Sequence, residues 1–245
     1  MEQIAVTFPS GSGAVELEGV WHPPTRRATN AAVIVLHGSA YNKDSEPSIS
    51  LCTGAAELGL TALRFDFRYV KQDSIQKFDE LTDGLDDLLG AYNFLQGFGK
   101  EIKPKRLYLI GKSVGGVVAL HFTLQPEYAD KISGLGCLGL ILHNTEHTEW
   151  YWQDRINNLK SPFLAIQGEH DPYSSPDELD EFCRNLPVPA QYEILKGTGH
   201  SYEPVPAISN EEEQQAAYQN NMAQAVKLTL NWLEKLEEGR KDLRK

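Results

Sequence analysis

Leu107-Tyr-Leu-Ile-Gly111-Lys112-Ser113-Val114-Gly115-Gly116 says more about this chain than any other stretch. An apolar β-type run feeds directly into Gly111-Lys-Ser-Val-Gly115, and a helix-like run, Val117-Val-Ala-Leu-His-Phe122, follows. Strand, G-x-S-x-G and helix in that order describe a tight turn with a serine at its apex. Such a turn forces Ser113 into a strained conformation. Side chains at the flanking positions would collide with neighbouring backbone, which explains a glycine on both sides. The strain lifts the serine hydroxyl to the sheet edge, beside the N-terminus of the next helix. A serine exposed in this way is a candidate nucleophile, and it needs a base and an acid to activate it. Both should follow in the chain, each at a strand end.

The sequence supplies both. Phe163-Leu-Ala-Ile-Gln-Gly168-Glu-His-Asp171-Pro-Tyr is a buried strand followed by a turn, with Asp171 just beyond the strand end. Tyr192-Glu-Ile-Leu-Lys-Gly197-Thr-Gly199-His200 is a further strand, and its glycine-flanked loop presents His200. Asp66 and Glu146 are rival acids after other strands. Asp171 is preferred to Glu146, because Asn144, not Glu146, lies nearest the strand end there.

Working outward, two alternating segments open the chain, Ile4–Phe8 and Ala14–Trp21, separated by Pro9-Ser-Gly-Ser-Gly13; they predict an antiparallel hairpin. Continuous apolar strands are expected at Ala31–Leu36, Thr61–Phe65, Arg106–Ile110, Leu135–Leu142, Pro162–Ile166 and Gln191–Leu195. Helical patterns fall at Ile49–Leu58, Phe78–Phe98, Val114–Leu124 and Asp177–Asn185. Strands apolar on both faces that alternate with helices predict an α/β fold. Its doubly wound, mostly parallel sheet has about eight strands, the N-terminal hairpin included. Ser209-Asn-Glu-Glu212 has capping-box spacing and opens a last helix over 209–240. The interval between His143 and Pro162 leaves room for one short helix, so a single domain over 1–245 without a separate cap is expected.

These motifs together resemble the α/β-hydrolase superfamily, and within it the small dienelactone-hydrolase-like branch. The residues that carry the likeness are His37-Gly-Ser39, Gly111-Lys-Ser-Val-Gly-Gly116, Gly168-Glu-His-Asp171-Pro and Gly197-Thr-Gly-His200. The Gly-Lys-Ser-x-Gly-Gly turn and the Gly-x-x-Asp-Pro turn are similar to a little-characterised group that includes testis-expressed proteins. Dienelactone hydrolases proper carry a cysteine nucleophile where this chain has Ser113, so their substrate does not transfer. The resemblance implies a nucleophile–acid–base order of Ser113, Asp171 and His200. It also implies an oxyanion hole built from the backbone N–H groups of Ser39 and Val114. A serine hydrolase acting on small or short-chain esters or thioesters is the expectation, with no cofactor and no metal. A peptidase or acyltransferase on the same triad, or a non-enzymatic binding or scaffold module, is the alternative.

Tyr41, Lys112, His143, Trp150 and Tyr202 are candidate lining of the substrate pocket. Lys112 and Arg68 would bring positive charge toward an acidic substrate; a surface lysine or a structural ion pair is the competing reading. Trp150, Tyr151 and Trp152 either line an apolar wall or pack their segment against the body. His37 is read as structural. His143, Glu146, His147 and His170 lack the spacing of a helical metal-ligand pair.

Bulk composition bounds the partners. A chain of 245 residues with 41% hydrophobic residues is long enough to bury a sizeable core. A formal net charge of -11 repels nucleic acid and anionic membranes, leaving a small-molecule acyl substrate as the expected partner. The first residues, Met1-Glu-Gln-Ile-Ala-Val-Thr, lack the basic and apolar regions of a signal peptide, and Cys52, Cys137 and Cys183 lie far apart. Buried free thiols in a cytoplasmic protein are the expectation; the sequence leaves the oligomeric state open.

Overall fold

The computed structural model describes residues 2–72, 81–97, 103–143 and 152–242. Strands β1 (Ile4–Pro9) and β2 (Glu16–His22) form the antiparallel hairpin, with Ile4 opposite Trp21 and Phe8 opposite Leu17. Their burial alternates, as one face meets the core and the other meets water. β2 then pairs antiparallel with β4 (Thr61–Phe65). From there the sheet is parallel, through β3 (Ala31–Leu36), β5 (Arg106–Lys112), β6 (Ile132–Leu138), β7 (Phe163–Gly168) and β8 (Ala190–Leu195). The eight strands run in the order β1-β2-β4-β3-β5-β6-β7-β8.

Every residue of β3, β5 and β7 is buried, which requires helices on both faces. Helices α1 (Ser48–Glu57) and α5 (Glu211–Asp242) cover one face, where Leu51, Cys52, Met222 and Ala225 pack on Val33, Tyr108 and Ile166. Helices α2 (Leu81–Gly97), α3 (Val114–Thr123) and α4 (Pro176–Arg184) cover the other, where Leu88, Val117 and Leu179 pack on Leu109, Leu135 and Phe163. The far end of α5 is fastened to the start of β5. Arg106 Nε and Nη2 donate to the Glu237 carboxylate at 2.8 and 2.7 Å, and the Tyr108 hydroxyl donates to the same carboxylate at 2.5 Å.

Several boundaries differ from the sequence expectation, each for a physical reason. β6 ends at Leu138, not Leu142, because Gly139 takes φ +64° and turns the chain out of the sheet. Leu140 stays buried beyond it, showing that an apolar run marks burial and not pairing. The last helix begins at Glu211. Its first N–H groups are met by the Asn210 side chain, which accepts from Glu212 N at 2.9 Å and Glu213 N at 3.1 Å; Ser209 is not the cap. A full capping box instead opens α4, between Ser175 and Glu178. The described part of α2 begins at Leu81, so the expected start at Phe78 lies outside the described residues. After β6, a short 3-10 helix at Gln153–Asn158 leads into β7. Trp152 before it is 1% exposed and packs edge-on against Phe182 of α4. All three cysteines are buried and free.

Candidate active site

In the run from Arg106 to Leu124, Ser113 alone escapes full burial. The turn achieves this by placing Ser113 at φ 53° and ψ -120°, a conformation that costs on the order of 1–3 kcal/mol. A Cβ on Gly111 would collide with the backbone of Gly115 and Gly116, and one on Gly115 would sit 2.6 Å from the carbonyl oxygens of Leu36 and His37. The turn therefore closes only with glycine at both positions.

Ser113, His200 and Asp171 form one hydrogen-bonded chain. Ser113 Oγ lies 2.8 Å from His200 Nε2, and His200 Nδ1 lies 2.6 Å from Asp171 Oδ2. They come from the ends of β5, β8 and β7, brought together at the sheet edge. Burial pushes the His200 imidazole below its ordinary pKa; the Asp171 hydrogen bond opposes this, and the Lys112 charge adds to it. His200 is consequently neutral near pH 7, with Nδ1–H donated to Asp171 and the Nε2 lone pair free to accept the serine proton.

The Asp171 carboxylate is itself held. It accepts from Gln167 Nε2 at 2.6 Å and from the Tyr173 backbone N–H at 2.9 Å. Gln167 is fully buried, and it also accepts from Leu140 N at 2.7 Å and donates to Leu140 O at 3.2 Å. One side chain thus ties the loop after β6 to the acid. Tyr173 packs its ring edge-on against His200, with centroids 4.7 Å apart. Sequence reasoning missed both residues. The one available signal was a polar Gln167 closing the otherwise apolar run Phe163-Leu-Ala-Ile.

On the other side of Ser113, a Cβ at Gly38 would lie 3.3 Å from Ser113 Cβ and 3.4 Å from the Tyr41 ring, so the loop after β3 abuts the serine. Among the described residues, the backbone N–H groups of Ser39 and Val114 donate to no other backbone carbonyl. His37 braces this loop from below. Its Nε2 accepts from Phe67 N at 3.2 Å, which leaves the proton on Nδ1 for donation to the Gly38 carbonyl at 2.9 Å. Burial lowers its pKa to about 4, so it remains neutral and structural.

Lys112 is 3% exposed, and its ammonium faces inward, donating to the His200 carbonyl at 2.8 Å and sitting 5.4 Å from the Tyr202 ring centroid. Burial lowers its pKa to about 8, against the pull of Asp171 and Glu203. Tyr202 is fully buried and donates its hydroxyl to Ile166 O at 2.9 Å. Neither side chain presents itself to a substrate; both sit under the His200 loop. His143 is half-exposed and pairs with Glu178 at 3.4 Å, apart from the Ser113–His200–Asp171 chain. Arg68 is consumed by Asp83, Asp86 and Asp87, and Asp66 by Lys43. Trp150, Tyr151, Glu146 and His147 lie outside the described residues. Among the described residues, no group of three His, Cys, Asp or Glu side chains is placed to hold a metal ion. No helix of the described residues is long and apolar enough to cross a membrane.

Comparison with known proteins agrees with this architecture. A family model described as an alpha/beta hydrolase domain matches residues 29–233, which takes in the Ser113 turn, Asp171 and His200. The chain belongs to the alpha/beta hydrolase family. Protein ABHD14A of Mus musculus is 23% identical over 178 residues, covering 73% of this chain and 66% of the mouse protein; the match to the Rattus norvegicus protein covers 62% of that relative. Dienelactone hydrolase from Anabaena variabilis superposes with a TM-score of 0.70 at 18% identity, covering 94% of this alpha/beta hydrolase chain and 96% of the other. XC6422 from Xanthomonas campestris, described as a serine hydrolase without lid, superposes with a TM-score of 0.65 at 20% identity, covering 91% and 95%. At these identities the structural likenesses establish the fold.

Proposed function

We propose that this alpha/beta hydrolase is a serine hydrolase that cleaves carboxylic esters or thioesters bearing small or short-chain acyl groups. The observation that carries the reading is the unbroken hydrogen-bonded chain from Ser113 Oγ through His200 to Asp171. His200 Nε2 takes the hydroxyl proton as Ser113 Oγ attacks the carbonyl carbon. The resulting oxyanion accepts hydrogen bonds from the N–H groups of Ser39 and Val114, and the N-terminus of α3 adds a favourable field. Collapse breaks the bond to the leaving alcohol or thiol, which receives the proton from His200. Water, deprotonated by His200, then attacks the acyl-Ser113 ester, and the proton returns to Ser113 Oγ as the acid departs. Asp171 holds the Nδ1–H tautomer and stabilises the imidazolium throughout. Tyr41, beside Gly38, lines the entrance.

The test is labelling with a fluorophosphonate probe, with p-nitrophenyl acetate turnover read in parallel. Wild type is expected to take the label and turn over ester. Ser113→Ala and His200→Ala should lose both, with kcat falling on the order of 10⁶-fold. A folded wild-type protein that takes no label would replace this reading with a binding module.

A further inference from the structure

Beside the oxyanion loop lies a groove of about 780 Å³, a volume in the range of small-molecule sites. One wall is Tyr41, Ser45 and Glu46 of the loop between β3 and α1 with Ser50 in the first turn of α1, and the other is the face of α5 from Gln215 to Asn231, about 24 Å at 1.5 Å per residue. Met222, Val226 and Leu230 form an apolar floor, and hydroxyl and amide side chains such as Ser50, Gln215 and Gln219 form the rim. The near end of the groove approaches the reactive centre: a Cβ on Gly38 would lie 3.4 Å from the Tyr41 ring and 3.3 Å from Ser113 Cβ, so Tyr41 and Ser113 flank the same glycine. Outside the groove lining, Asn221 of α5 donates to the Tyr202 carbonyl at 3.0 Å, which fixes α5 against the loop that carries His200. The Tyr41 and Tyr218 hydroxyls, 3.4 Å apart, join the two walls at this end.

We propose that this groove receives one uncharged, unbranched aliphatic arm of the ester whose carbonyl is attacked by Ser113. The inference rests on the serine-hydrolase reading above and narrows its substrate class; a rise along the acid series would replace its short-chain acyl range with a longer one. An aliphatic arm fits the apolar floor, where each methylene leaves water. An anionic arm is opposed at the near end, where Glu46 lines the groove and both Glu46 and Glu203 act electrostatically on the Tyr218 hydroxyl; Lys227, the one lining cation among the described residues, lies more than two turns of α5 further on. Either arm of an ester, acyl or alcohol, brings this chemistry, and two substrate series separate them.

The first series is acetate esters of ethyl to octyl alcohols; the second is ethyl esters of acetic to octanoic acids. For wild type, kcat/KM is expected to rise about two- to fourfold per methylene along one series, over several methylenes, and the series that rises identifies the arm. Ala223→Trp, at an exposed groove position of α5, should flatten that rise. Gln224→Trp, exposed on the same helix but outside the groove, should keep the wild-type profile. A flat profile in both series, or an Ala223→Trp enzyme that is folded by circular dichroism and retains the rise, overturns the proposal. A readout without chemistry separates this from the catalytic reading: saturation-transfer NMR of hexyl acetate and ethyl hexanoate on Ser113→Ala. Binding that Ala223→Trp abolishes upholds the groove even where wild type proves inert toward esters and probe. No binding of either ester sinks it.

Discussion

Lys112→Met tests whether the buried ammonium beneath the His200 loop sets the base strength of the imidazole. Methionine keeps the length and burial of the lysine stem but removes the charge. The ammonium is 2.8 Å from the His200 carbonyl, and both Lys112 Nζ and the His200 ring approach the same point beside Gly139. At a separation on the order of 6 Å and an effective dielectric near 20, two like charges repel by about 2–3 kcal/mol. That is an upper bound of about two pH units on the titration of the imidazole. The His200 side chain is 17% exposed, and Asp171 holds the imidazolium in either protein, so about one unit is the expected effect. The sign follows from which form is disfavoured. Lys112 opposes the imidazolium, so removing it lets His200 stay protonated to higher pH. The acid limb of kcat/KM should therefore move up by about one unit, with activity lost mainly on the acidic side. Lys112 has its own pKa lowered to about 8, so wild type is mostly charged there at pH 7 and carries this effect. The measurement is the pH profile of both proteins on p-nitrophenyl acetate between pH 5 and 9. An acid limb that stays in place while the variant remains folded would refute the electrostatic argument and leave Lys112 as a tether for the loop.

Gln167→Leu should lower kcat roughly 10- to 100-fold with little change in KM, since a hydrogen bond to a charged carboxylate is worth about 1.5–3 kcal/mol; unchanged steady-state kinetics would remove Gln167 as a positioning residue. Below neutral pH, the fold should weaken because burial holds His22 and His37 at about 4 against 6.5 for a free histidine. The unfolded chain takes up those protons first, so stability falls as pH drops from about 6.5 to about 4 and is fully present above 6.5. Thermal midpoints measured across that window should decline, more gently in His22→Asn, and a flat midpoint contradicts the assignment. Glu237→Ala leaves the Arg106 guanidinium without its buried partner and should cost about 3–5 kcal/mol in urea unfolding. A loss under 1 kcal/mol would show that the far end of α5 is held otherwise.

What was legible in the sequence was whatever depends on local chemistry. The period of the apolar runs gave the strand and helix order, because a strand buried on both faces has no polar side to show. Gly111 and Gly115 marked the Ser113 turn, because only glycine lets the strand and helix approach so closely. The illegible part depends on where loops cross the sheet edge. Lys112 reads in sequence as a charge beside the serine, but the His200 loop after β8 lies over it and turns a candidate substrate contact into an internal tie. Gln167 reads as the polar end of a strand, and its partner Leu140 lies in a segment whose apolarity suggested continued β-structure. The β6 boundary and the Gln167 contact were missed for one reason: an apolar run does not say whether its backbone pairs with a strand or with a side chain.

That contact pattern explains how loops hold three reactive groups in register. Ser113 stands on its own strained turn, yet none of its partners is positioned by its own loop alone. His200 hangs from Lys112 of β5 through its carbonyl, Asp171 from Gln167 of β7, and the Ser39 loop from Phe67 through His37. Two of these ties link the ends of different strands, and Gln167 also holds the loop after β6, so the hydrogen-bonding order of the sheet is transferred directly to the site. Each tie uses a side chain that is almost wholly buried, where a hydrogen bond is least diluted by water and most costly to leave unmade. A site built this way needs no large cap to fix its geometry. On the proposal made for the groove between the Ser39 loop and α5, substrate selection can vary there without disturbing the ties beneath Ser113.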